Sequence, residues 1–170
     1  RGVFSYVGGD ATDMVGKSFA VGSVAHSIDA DACRKNADAA ENKIDNALIM
    51  LLGLLTYQQG LPSDIEVNLL TCLQKVTSEL REQVTTVYEG RHTISFGGRL
   101  MSVTVKPLGV ADEGLGVLAT TPHAATSKET VVLSIGGGTV NVSQFNGGNL
   151  ITQKPFAGGV MRLYESLALA

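Results

Sequence analysis

The sequence is short of the residues on which several common functions depend. It has no tryptophan, four tyrosines and five phenylalanines, too few for the aromatic platforms that stack on bases or sugars. The two cysteines, Cys33 and Cys72, have no CxxC or metal-ligand spacing, which indicates reduced, buried thiols of a cytosolic protein. The net charge is −3 and there is no basic run, so we expect no direct contact with nucleic acid.

Long apolar runs and metal-ligand patterns are also missing. The longest apolar run, Ala47–Leu55, is far shorter than the roughly 20 residues that span a bilayer, so we expect no membrane partner and a cytoplasmic location. The histidines lie in unrelated segments, at His26, His92 and His123, without HxxxH or HxxE spacing. The GxxxxGK[ST] phosphate loop is absent as well. The sequence therefore predicts no metal site built from protein side chains.

Helical and extended patterns alternate along the chain, which is typical of the α/β class with a mixed sheet. The patterns predict strands at 3–7, 18–21 and 65–71, a helix at 41–59, a second helix from 76 that ends before a β region at 87–89, a hairpin at 92–105 and a short helix at 110–119. Gly97-Gly98 marks the hairpin turn. Pro107 is predicted to end the second strand of that hairpin.

The glycine-rich segment at residues 131–156 is the most informative part of the chain. It predicts a strand, a turn of three glycines, a second strand, an Asn-Gly-Gly-Asn turn and a third strand. Three consecutive glycines leave a row of backbone N–H groups without shielding Cβ atoms, and such a row can bind phosphate oxygens. Thr139 adds a hydroxyl at the same edge. An ordinary glycine-rich hairpin turn explains the same pattern, and local sequence does not separate the two interpretations.

A second glycine pattern indicates a different nucleotide site. Gly114, Gly116 and Ala119 fit the GxGxxA dinucleotide fingerprint, and Glu129 follows about ten residues later. That fingerprint requires a strand directly before it and an acidic residue at the end of the next strand. We expect a proline-led loop before Gly114, so a glycine-punctuated helix is the favoured interpretation.

The residues around the triple glycine resemble the actin/DnaK-chaperone/sugar-kinase ATPase superfamily, and among its members the plasmid-partition actins of the ParM or StbA type. The second phosphate-binding hairpin of that family reads D-x-G-G-G-T-x-D, and this chain has Ser134-Ile-Gly-Gly-Gly-Thr-Val-Asn141. A third strand and a glycine pair that opens a helix follow in the family, as they do here at Asn149–Pro155 and Gly158-Gly159. The family's connecting segment resembles the residues from Val105 to Ala111.

The resemblance implies a ribonuclease-H-like mixed sheet with flanking helices and an incomplete second lobe. Residues 1–125 would form most of the first lobe, without its own phosphate hairpin, and residues 126–170 would begin the second. The chain starts at Arg1 and stops at Ala170 within a helical pattern, which indicates a fragment. The intact protein would bind ATP or ADP with Mg²⁺, whereas this piece alone would not bind nucleotide tightly.

The resemblance also implies roles for individual residues. Those expected to face the β- and γ-phosphates are Gly136, Gly137, Gly138 and Thr139, and those on the ribose side are Gly158 and Gly159. Ser134 and Asn141 stand on the metal side, where the family has aspartates. A hydroxyl does not replace a carboxylate's charge beside a divalent cation. Leu108 occupies the position of the family's water-orienting Glu or Gln, unless a shifted connecting loop lets Glu113 take that role.

The function that the resemblance implies is a nucleotide-binding filament or scaffold protein of the plasmid-segregation type. Its partners would be further copies of itself and an adaptor protein. Because phosphoryl transfer depends on positioning and charge neutralisation, the missing carboxylates predict weakened or lost ATP hydrolysis. Two alternatives stay open, an active ATPase with an altered metal shell and a structural module on the same fold that binds no nucleotide.

Overall fold

The computed structural model describes residues 1–33, 44–73, 76–121, 128–160, 164 and 166–167. The strands are β1 (Val3–Gly9), β2 (Ser18–Ala20), β3 (Asp64–Leu73), β4 (Gly90–Phe96), β5 (Arg99–Asp112), β6 (Thr130–Ile135), β7 (Thr139–Asn146) and β8 (Asn149–Ala157). The helices are α1 (Ser23–Ile28), α2 (Ala47–Leu55), α3 (Ser78–Tyr88) and α4 (Leu115–Thr120), with a 3-10 turn at Thr12–Met14. The predicted α/β class is confirmed. No helix within these ranges is long and apolar enough to cross a bilayer.

The chain forms two compact units. The first comprises Arg1–Leu70 and Ser78–Gly109, and the second comprises Thr71–Thr77 and Val110–Ala170. The chain passes between them three times, within β3, between Thr77 and Ser78, and within β5. The boundary near residue 125 that we predict between the first and second lobes stays a prediction.

The first unit is built on a five-stranded sheet in the order β2-β1-β4-β5-β3. One face of this sheet is apolar because alternate residues of each strand point the same way. Met101, Val103 and Val105 of β5 are fully buried there, and Leu52 of α2 packs against the same face. Gly53 lets α2 approach closely, since a Cβ at this position would lie 2.8 Å from Cγ1 of Val21.

The predicted hairpin of β4 and β5 is confirmed, with Phe96 paired to Arg99 across Gly97-Gly98. Both glycines have positive φ, at 54° and 76°, as a two-residue hairpin turn requires. The β region predicted at 87–89 is wrong, because α3 continues to Tyr88.

The prediction that Pro107 ends the second hairpin strand is also wrong, since β5 continues to Asp112. Pairing between β4 and β5 stops at Gly90 and Val105, so the missing N–H of Pro107 removes no hydrogen bond on that side. The helix predicted at 110–119 consequently begins later, at Leu115.

The second unit contains a three-stranded antiparallel sheet, β6-β7-β8. It confirms the strands predicted from the glycine-rich segment. One face is apolar at one end, where Phe145, Val132 and Leu118 of α4 form a buried cluster. On the opposite face Val131, Leu133 and Ile135 are exposed.

The two cysteines are free, as predicted. Cys72 is exposed and Cys33 is partly exposed, so the expectation that both thiols are buried is wrong. The helix predicted at 41–59 is observed as α2 over Ala47–Leu55, and residues 41–43 lie outside the described residues.

Candidate functional site

The triple glycine forms the turn between β6 and β7, where Ile135 pairs with Val140. The Gly136 N–H donates to the Thr139 carbonyl over 2.8 Å, which closes the hairpin. Gly137 and Gly138 are exposed. Within the described residues, neither of their N–H groups donates to a protein acceptor. The turn therefore presents two backbone donors that an anion can accept.

The conformation of this turn differs from the αR–αL type of anion-binding nest. None of Gly136, Gly137 and Gly138 has a positive φ. The backbone of this turn therefore does not alternate between right-handed and left-handed conformations, as it does in that type of nest. At Gly136 a Cβ would lie 3.3 Å from the Thr139 carbonyl oxygen, so glycine avoids a tight contact there.

A second glycine segment packs directly on the turn. The Gly158 N–H donates to the Gly138 carbonyl over 3.1 Å, and the Val160 N–H donates to the Gly136 carbonyl over 3.0 Å. Gly159 is buried, and a Cβ there would clash with the Gly136 carbonyl oxygen and lie 2.6 Å from that of Gly137. The two glycine segments singled out from the sequence are thus in backbone contact.

The polar end of the sheet lies next to this turn on the buried face of β7. Asn141 follows the turn by three residues, is 2% exposed and pairs with Ser134 of β6. Directly paired residues project from the same face of a sheet, so Ser134, which is half-buried, shares the face of Asn141. The structure brings together the two residues predicted to line the metal side.

Glu113 joins this cluster from the end of β5. The Nδ2 atom of Asn141 donates to Oε2 of Glu113 over 2.6 Å. Gln153 of β8 donates from Nε2 to the Glu113 carbonyl over 3.1 Å, and Ser143 donates to the same carbonyl over 3.4 Å. The cluster combines one carboxylate with neutral donors and acceptors. The described part of the chain has no group of three or more His, Cys, Asp or Glu residues that could hold a metal ion.

Solved structures of actin-like filament proteins match this chain. Apo pSK41 ParM matches 99% of the chain with a TM-score of 0.68 and 15% sequence identity. Bacillus thuringiensis ParM with ATP matches 96% with a TM-score of 0.61 and 16% identity. An AlfA filament bound to AMPPNP matches 99% with a TM-score of 0.59 and 18% identity.

The chain has the ParM-type actin-like fold. It covers 56% of the pSK41 ParM chain, 49% of the Bacillus thuringiensis ParM chain and 61% of the AlfA chain, so it spans about half to three-fifths of these proteins. No protein-family model matches the sequence, and no curated protein matches it.

The ParM-type fold changes how the connecting segment is interpreted. Leu108, which the sequence alignment put in the water-orienting position, lies inside β5 and is 69% exposed. The strand ends at Asp112 and Glu113 follows it, in contact with Asn141. Glu113, the residue that a shifted connecting loop would bring to this role, is therefore the one whose carboxylate contacts the polar cluster. The catalytic roles of Ser134, Asn141 and Glu113 stay predictions, as do the nucleotide contacts of the glycines and Thr139.

The arrangement of the strands argues against the dinucleotide interpretation of Gly114 and Gly116, although a strand does precede them. β5 runs to Asp112 where we expected a loop. However, β5 belongs to the five-stranded sheet and β6 to the three-stranded sheet. A dinucleotide-binding βαβ unit needs both strands in one parallel sheet. Sequence reasoning missed Ser143 and Gln153. The signal for Ser143 is the alternation of polar residues along β7, and Gln153 lies in a polar run of three residues in β8.

Proposed function

We propose that the full-length protein is a nucleotide-binding, filament-forming actin-like protein of the plasmid-segregation type, in which ATP hydrolysis is weakened or lost. The observation that carries this proposal is the triple-glycine turn. Its two exposed N–H donors, at Gly137 and Gly138, lie on a hairpin whose buried face begins with Asn141.

The residues at the turn fit a phosphate group. Gly137 and Gly138 would donate to phosphate oxygens, and Thr139 follows them directly. Backbone donors of this kind act without a side chain, so their binding survives the substitutions on either side of them. Gly158-Gly159, packed on the turn, would lie towards the ribose.

The residues on the metal side fit Mg²⁺ less well. Mg²⁺ prefers carboxylate oxygens and retains several waters. Ser134 and Asn141 are both neutral, and Glu113 contributes the cluster's carboxylate. When bound with ATP, Mg²⁺ would neutralise the charge that develops on the transferred phosphate. Because Ser134 and Asn141 carry no charge, we expect the protein to bind ATP and to hydrolyse it slowly.

Self-association is proposed from the relatives. The AlfA structure is that of a filament bound to AMPPNP, and a Bacillus thuringiensis ParM structure contains ATP. We infer that this protein likewise assembles with itself in a nucleotide-dependent manner, in the cytoplasm, and that an adaptor protein links the filament to its cargo.

An active ATPase is the second candidate, and the position of Glu113 favours it. A carboxylate that follows β5 and accepts a hydrogen bond from Asn141 over 2.6 Å would orient an attacking water as a general base does. Under this alternative Ser134 would act through a water ligand of the metal, and turnover would be comparable to that of other filament ATPases.

Phosphate release and sedimentation of the full-length protein separate these candidates. We expect pelleting with ATP or AMPPNP, slow phosphate release, and faster release in Ser134→Asp, which restores the family's carboxylate. Fast release that is abolished by Glu113→Gln but not by the exposed control Glu129→Gln would instead establish the active ATPase. Pelleting that is the same with and without nucleotide, together with no phosphate release, would indicate the structural module.

A further inference from the structure

Hydrogen bonds hold both the main chain and the side chain of Glu113, although the residue lies in a loop. It lies between β5 and α4, outside both elements, where a residue ordinarily moves with its loop. Here its N–H donates to the Leu73 carbonyl over 2.8 Å. Its own carbonyl accepts hydrogen bonds from Gln153 and Ser143, and its carboxylate accepts one from Asn141.

The two amides that contact Glu113 belong to one surface of the sheet. Gln153 of β8 lies directly opposite Ser143 of β7, and Asn141 is two residues from Ser143 on the same strand. Residues two apart on a strand share a face. Asn141 and Gln153 therefore approach Glu113 from one face, Asn141 at the carboxylate and Gln153 at the main chain.

The orientation of each amide is set by what it contacts. A carboxylate and a carbonyl only accept hydrogen bonds, so both amides must turn their NH₂ groups towards Glu113. This leaves Oδ1 of Asn141 and Oε1 of Gln153 buried without a protein partner among the described residues. Buried unpaired oxygens cost free energy, and such groups in a folded protein point to a role other than stability.

We propose that Asn141 and Gln153 are positioning residues that form an amide clamp on Glu113. This inference rests on the second candidate function, the ATPase, because that candidate gives Glu113 the task of orienting water at the nucleotide. Asn141 fixes the direction of the carboxylate, and Gln153 fixes the main chain from which the carboxylate extends. Asn141 is then a hydrogen-bond donor that the site uses, rather than only a lost aspartate.

Gln153→Leu tests the clamp, with Gln144→Leu as its matched control. Leucine keeps approximately the same volume and also removes the unpaired oxygen, so the variant is expected to fold as stably as the wild type. Gln144 is a glutamine of β7 on the opposite face of the same sheet, paired with Thr152. Melting temperatures of both variants verify that the fold is intact.

Two readouts on the full-length protein decide the proposal. In Gln153→Leu, kcat for phosphate release should fall about tenfold or more, because a displaced catalytic group loses orientation, while the Kd for ATP stays within about twofold. Hydrogen exchange of the Glu113 amide should become about tenfold faster. Gln144→Leu should leave all three values within about twofold of the wild type.

Equal exchange at Glu113 in the two variants would overturn the clamp, whatever the rate of hydrolysis. Faster exchange with unchanged kcat in a hydrolysing protein would show a structural contact and also overturn it. If the wild type binds ATP without hydrolysing it, Glu113 orients no attacking water, and the positioning role is overturned even where exchange is faster. If the wild type binds no nucleotide, the proposed function fails as well, while the exchange comparison still shows whether Gln153 holds Glu113.

Discussion

Replacing Gly159 by alanine perturbs the contact between the two glycine segments most directly. The added methyl group would point at the carbonyl oxygens of Gly136 and Gly137. These are main-chain atoms, which cannot rotate away as the end of a side chain can. The segment at 158–160 must therefore move off the turn, or the turn must change shape.

The size of the effect follows from the strain and from the bonds at risk. Overpacking by one methyl group costs about 1–3 kcal/mol. The two hydrogen bonds that Gly158 and Val160 donate to the turn, at 3.1 and 3.0 Å, are each worth about 0.5–1.5 kcal/mol net. We expect Gly159→Ala to lower the free energy of opening this contact by about 2–6 kcal/mol.

Hydrogen exchange of the full-length protein measures this loss at the amides concerned. A loss of about 2 kcal/mol corresponds to roughly thirtyfold less protection of the Gly158 and Val160 amides. Gly116→Ala is the matched control, since Gly116 lies in α4, has a φ that is not positive and has nothing within 4 Å of an added Cβ. Unchanged protection of these two amides in Gly159→Ala would show that the packing of the backbone does not require glycine at this position.

Three further predictions concern stability. Tyr6 OH and Nδ1 of His92 are 2.9 Å apart, and burial lowers the pKa of His92 below its usual 6.5. The unfolded chain then takes up a proton that the folded chain resists, so the urea midpoint should fall as pH drops below about 6.5, and His92→Gln should remove that slope. Phe145→Ala should cost about 3–5 kcal/mol in the same assay, because the ring is fully buried. Lys106→Ala should cost less than about 1 kcal/mol, since its ion pair with Glu66 is about half exposed; a larger loss would contradict the surface assignment.

Periodicity and turn chemistry predicted the parts of the fold that depend on local sequence. The hairpin at Gly97-Gly98 and the three strands around the triple glycine are observed where they were expected. In both cases glycine marks the turn and alternation marks the strands. The order of strands in the five-stranded sheet depends on long-range contacts, and local patterns do not contain it.

The continuation of β5 past Pro107 shows why the site was only partly predictable. Proline ends a strand when its missing N–H was needed by a neighbour, and that depends on where pairing with β4 stops. The sequence does not give this register. With β5 expected to end at Pro107, Leu108 was aligned with the family's water-orienting residue. Glu113 was considered only as a shifted substitute, and Gln153, about 40 residues away in the chain, was not considered.

One calorimetric comparison tests whether the triple-glycine turn binds the phosphates of a nucleotide. ATP with Mg²⁺ is titrated into the full-length wild type, Gly137→Asp and the control Gly147→Asp. Gly147 lies in the turn between β7 and β8 with a φ of 55° and nothing within 4 Å of an added Cβ, and aspartate tolerates such a φ.

The wild type and Gly147→Asp are expected to bind ATP alike. In Gly137→Asp, a carboxylate placed against the phosphates should weaken binding by about tenfold or more. Equal affinity in all three proteins would contradict the claim that the phosphates lie at this turn, and the absence of binding in the wild type would contradict nucleotide binding altogether.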